Sequence, residues 1–130
     1  MKKIFCFGNE FIKEDSLAKK IADEIKIKGY KFIKCESFDD IGGVGNSKKE
    51  IIIMDVVKGL KSARLINNIK ELDNIKNKHH LVSSHDFDLG NELKIRKAIG
   101  QLGKISIICL PQKGNKNKII EDLKKIVLTL

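Results

Sequence analysis

The sequence predicts an α/β protein, a single-domain three-layer sandwich built on a mostly parallel, doubly wound sheet. Two observations carry this expectation. Short apolar runs of strand length alternate along the chain with longer stretches whose apolar residues recur at helical spacing. The strongest run, Glu50 to Val57 (EIIIMDVV), is apolar on both faces, as a central strand of a parallel sheet must be. With 130 residues the chain suits one domain and is short for two.

The elements follow in order. Ile4 to Phe7 is an apolar run that ends at Gly8-Asn9, so it reads as a buried strand and a turn. Ser16 to Lys28 carries Leu17, Ala18, Ile21, Ala22 and Ile25 at helical spacing, with lysines and acids on the other face. Gly29 stands where it would stop that helix. Tyr30 to Cys35 is a second strand, which makes the first 35 residues a βαβ unit with a right-handed crossover. Residues 39–49, with Gly42, Gly43 and Gly45, read as a loop before the central strand. Residues 58–78 are ambiguous: Ala63 to Ile66 fits a strand, and Ile69, Leu72 and Ile75 fit a short helix. Asp88 to Gln101 reads as a helix, and Ile105 to Leu110 as a buried strand stopped by Pro111. Lys116 to Leu130 closes the chain as a helix, with Ile119, Leu123, Ile126, Val127 and Leu130 on one face.

Composition narrows the function classes. The net charge of +9 invites a nucleic-acid reading. Against it, only Arg64 and Arg96 are arginines, so the charge is almost all lysine, without the bidentate fork that suits phosphate and guanine. One tyrosine and no tryptophan leave no aromatic platform for bases. The lysines are also dispersed, so no nucleic-acid partner is expected, and the charge would equally steer an acidic protein. Cys6, Cys35 and Cys109 show no CxxC spacing and read as buried free thiols of a reducing compartment. No signal peptide and no membrane-length apolar run is visible, so the expected location is the cytoplasm.

In a doubly wound sheet, ligands bind beyond the carboxyl ends of the strands. Three segments bring polar residues there: the loop from Gly8 to Asp15, Asp55 in the central strand, and Ser83-Ser84-His85-Asp86-Phe87-Asp88. Asp15 precedes a helix and reads as a cap or as a ligand, with Ser16 as a competing cap. Asp55 favours a functional role, because a carboxylate in an apolar strand is costly to bury without a partner or a metal. His85 is either a surface loop histidine or a ligand. His79 and His80 lie among lysines and read as solvated. GxGxxG, GxxxxGK[ST] and GxSxG are all absent. Two carboxylates and an imidazole would suit a borderline divalent metal such as zinc or nickel.

These blocks resemble the hydrogenase maturation endopeptidases. Gly8-Asn9 followed by Asp15 resembles the family's GN turn and following acid. Ile51 to Asp55 resembles its central strand ending in aspartate. Ser83-Ser84-His85-Asp86-Phe87-Asp88-Leu89 resembles its SH element in an archaeal-like form, and Ile105 to Pro111 its late strand ending near a proline. The four blocks occur in the family's order and cover most of the chain. The departures are Asn9-Glu10-Phe11 where proline-leucine is common, Glu14 to Ala18 where DDGxG is common, and Val56 for the usual alanine. The resemblance implies that Asp15, Asp55 and His85 form the catalytic and metal-contacting set, with Glu14 as the alternative to Asp15. It implies an endopeptidase that removes the C-terminal extension of a hydrogenase large-subunit precursor after nickel insertion, the nickel being supplied by that precursor. Asn9 would donate a hydrogen bond in the cleft, and Asp86 or Asp88 would orient His85 or cap the next helix. The alternative is a non-catalytic α/β module, diverged from this family, that binds a metal or a protein.

Overall fold

The structure, a computed structural model, describes residues 2–7, 16–36, 50–57, 60–67 and 104–130. Among the described residues five strands form one sheet: β1 (Lys2–Cys6), β2 (Tyr30–Lys34), β3 (Ile51–Val57), β4 (Arg64–Ile66) and β5 (Ile105–Pro111), in the order β2-β1-β3-β5-β4. All neighbouring pairs are parallel except β4 with β5, where three residues of β4 run antiparallel along the edge. The ambiguous stretch before residue 67 therefore contains a strand, at Arg64–Ile66. Two helices are described: α1 (Leu17–Glu24) and α2 (Lys116–Leu128). The expected mostly parallel α/β sheet is present. The helix expected at Asp88 to Gln101 lies outside the described residues.

Every residue of β3 and β5 is buried, which explains why their sequences are apolar on both faces. One face, bearing Ile4, Cys6, Ile52, Met54, Val56, Ile108 and Leu110, packs with Ala18 and Ile21 of α1 and with Ile119, Leu123 and Val127 of α2. The opposite face carries Phe5, Phe7, Ile51, Ile53, Val57, Ile105, Ile107 and Cys109, also buried. β2 forms the other edge, with partly buried Phe32 and Ile33 between exposed Lys31 and Lys34, charges that discourage edge-to-edge pairing.

Three expectations are corrected in detail. The first helix ends at Glu24, four residues early, because Ile25 is extended at φ −88° and ψ 138°. Ile25 and Ile27 both join the core under α1. A spacing of two puts side chains on one side only in extended backbone, so burial of both isoleucines ends the helix. Gly29 does not stop the helix. It has φ +88° and makes the turn into β2, where Tyr30 N–H donates to the Ile27 carbonyl at 3.1 Å. Pro111 is the last residue of β5, opposite Val57, rather than the first residue beyond it.

Candidate active site

β1, β2, β3 and β5 all end on the same edge of the sheet. From β1 the chain passes through α1 to β2 on one side, and then to β3 on the other side of β1. The connections diverge between the carboxyl ends of β1 and β3, which is the switch point where open α/β sheets bind ligands.

Asp55 stands beside that point, two residues from the end of β3. It is 4% exposed. Alternation places it on the face of Ile53 and Val57, opposite the one covered by α1 and α2. Its register partner across β5 is Cys109, and on the other flank the Phe7 N–H bonds the Met54 carbonyl at 3.0 Å. The Val56 N–H donates to Asp55 Oδ1 at 2.8 Å. A carboxylate placed among aromatic and apolar neighbours is a destabilising choice for a strand that only has to pack.

Cys6 ends β1 on the α1 side of the sheet. Burial pushes its thiol well above the ordinary range, and neighbouring Cys35 and Asp55 add to the rise; Lys19 pulls the other way. Cys6 is therefore a neutral thiol at pH 7 and not a nucleophile. All three cysteines are free and buried, as their sequence context predicts.

Lys19 was not legible as a buried residue. The helical pattern puts the lysines of this helix on the solvent face, yet Lys19 is 1% exposed. Its Nζ donates to Glu36 Oε1 at 3.1 Å, just beyond β2. The available signal was its place in the first turn, bordering the Ala18–Ala22 stripe, where a long aliphatic stem can lie along apolar surface. Ser16 occupies the N-cap position but its side chain makes no capping bond to α1, and the first turn holds no acid. The expectation of Ser16 as a capping side chain is thus not met.

Of the three residues expected to act together, the structure places Asp55 at the edge. Asp15 and His85 lie outside the described residues, as do Glu14, Asn9, Asp86 and Asp88. Among the described residues no three His, Cys, Asp or Glu side chains come together as a metal site. Asp55 itself suits one hard oxygen ligand of a divalent metal.

The architecture recurs in several solved structures. The chain is similar to the NiFe hydrogenase maturation protease HybD from Thermococcus kodakarensis, with a TM-score of 0.67 at 17% identity, over 97% of this chain and 99% of that one. It is similar to an endopeptidase from Escherichia coli, with a TM-score of 0.59 at 16% identity, over 85% of this chain and 74% of that one. A hydrogenase 2 maturation peptidase from a Thaumarchaeota archaeon follows, with a TM-score of 0.51 at 15% identity, over 99% and 97% of the two chains. No family model and no curated protein matches the sequence. The chain shares the fold of these solved structures along nearly its whole length.

Proposed function

We propose that this chain is a hydrogenase maturation endopeptidase that removes the C-terminal extension of a large-subunit precursor once nickel is in place. The observation that carries the reading is Asp55, a buried carboxylate beside the switch point of a sheet that superposes on such a protease over 97% of its length. Asp55, with Asp15 and His85, would grip nickel that arrives as part of the substrate. A metal held there would polarise a carbonyl or lower the pKa of a bound water, so the contact that recognises the loaded precursor could also serve hydrolysis. His85 must be neutral to bind, so the grip weakens in acid. A cytoplasmic setting accords with three free buried thiols.

The test is processing of a nickel-loaded precursor by wild type and Asp55→Asn. The expected outcome is nickel-dependent shortening by wild type, reduced about 100-fold or more in the variant, on the scale of losing a reacting-centre carboxylate. An empty precursor should stay uncut. If wild type cuts no cognate precursor, loaded or empty, yet binds one, the chain is the diverged non-catalytic module.

A further inference from the structure

Lys19 has a feature that packing does not explain. An ammonium carries three N–H donors. Among the described residues Glu36 is the one acceptor that Lys19 Nζ reaches. At 1% exposure the other donors lie away from bulk water, a situation native structures avoid unless something else fills the place. The charge is also misplaced for stability. It sits in the first turn of α1, whose N-terminal end already favours anions. That turn has neither a side-chain cap nor an acid, so its N–H groups point the same electrostatic way as the ammonium. Glu36, by contrast, has a side chain that is 76% exposed, so its carboxylate is within reach of water.

We propose that Lys19 and the first turn of α1 form a carboxylate-binding subsite beside Asp55, in which Glu36 holds the place until a carboxylate of the substrate polypeptide displaces it. Glu36 shows which chemistry fits, because it is itself a carboxylate within hydrogen-bond distance of the ammonium. The subsite lies on the α1 side of the strand-end edge and Asp55 on the other side. Cys6, at the end of β1, feels the charge of both. A peptide lying across the edge would thus meet Asp55 with one part and Lys19 with another. The inference rests on the endopeptidase reading for the identity of the polypeptide, but not for the subsite itself.

The subsite is tested without cleavage. The side-chain Cε–Hε signal of Lys19 in ¹³C-labelled protein is assigned by its loss in Lys19→Met, and then followed during titration. Four probes are used: an N-acetylated Ala-Gly peptide with a free C-terminal carboxylate, the same peptide amidated, the amidated peptide with one internal glutamate, and inorganic phosphate. A saturable shift with one or both carboxylate peptides, about tenfold tighter in Glu36→Gln, is expected from the loss of one competing charged hydrogen bond. Which of those two peptides binds tells a chain terminus from an acidic side chain. No shift with either in Glu36→Gln overturns the proposal, as does an equal shift with the neutral peptide or a shift with phosphate alone. In precursor processing, Lys19→Met should raise KM about tenfold and leave kcat within about twofold, by the same reasoning. A wild type that processes nothing sinks the endopeptidase reading, while the peptide titration still decides the subsite.

Discussion

Asp55 and Lys19 are both charged, both buried and both at the strand-end edge, but only one was visible beforehand. Asp55 interrupts a strand whose other residues are all apolar, so its cost shows in the sequence itself. Lys19 belongs to a lysine-rich helix, where one buried lysine looks like its solvated neighbours. Its burial is a tertiary fact, set by how α1 packs on the sheet and by the reach of Lys19 Nζ to Glu36. Cys6 supplies a prediction at this scale. Its folded pKa is raised by burial. Below the unfolded value, about 8.5, both states keep the proton and pH has no effect through this group. Above it the unfolded chain loses the proton while the folded one keeps it, so stability falls as pH rises. Wild type should lose up to about 1.4 kcal/mol per pH unit above pH 8.5 relative to Cys6→Ala, measured by denaturant unfolding. Equal slopes for the two proteins would mean that Cys6 is not held as a neutral thiol.

At the level of elements, the ends were harder to read than the middles. The apolar runs of β1, β2, β3 and β5 and the stripe of α2 declare themselves, because burial on a face imposes a period. The end of α1 did not, since Ile25 satisfies helical and extended patterns equally until Ile27 is placed in the same core. Gly29 was correctly singled out as a backbone device, but for the wrong junction. Its φ of +88° leaves open space around an added Cβ, so Gly29→Ala should cost about 1 kcal/mol from backbone strain alone. The two helix starts make a contrasting pair. Asn115 Oδ1 accepts from the N–H groups of Asn117 at 2.9 Å and Lys118 at 3.2 Å. Asn115→Ala should therefore lower stability by about 1 kcal/mol in chemical denaturation. A loss below a few tenths would show that α2 holds without its cap, through Leu123 and Val127 in the core.

Across the whole molecule, the sheet order is what turns a list of polar residues into a site. The alternation of strands and helices made a parallel sheet legible, but not that β5 would lie between β3 and β4, because strand order is set by crossovers rather than by local pattern. That order places fully buried β3 and β5 at the centre, and leaves the candidate site at their carboxyl ends, beside β1. The protein's charge acts at this scale too. A net charge of +9 spread over lysines contributes little to fold, but it sets a long-range field that acts on an approaching partner. If the partner is a polypeptide that offers carboxylates, as the Lys19 subsite requires, the field should speed encounter and leave the docked complex largely unaffected. Raising salt from about 50 to about 500 mM shortens the screening length severalfold, and should slow association with the precursor about tenfold while dissociation changes less than about twofold. Surface-immobilised precursor and stopped-flow mixing both read these rates separately. An association rate that is flat with salt would mean that the docking face of the precursor is not acidic, and that the lysines serve solubility alone.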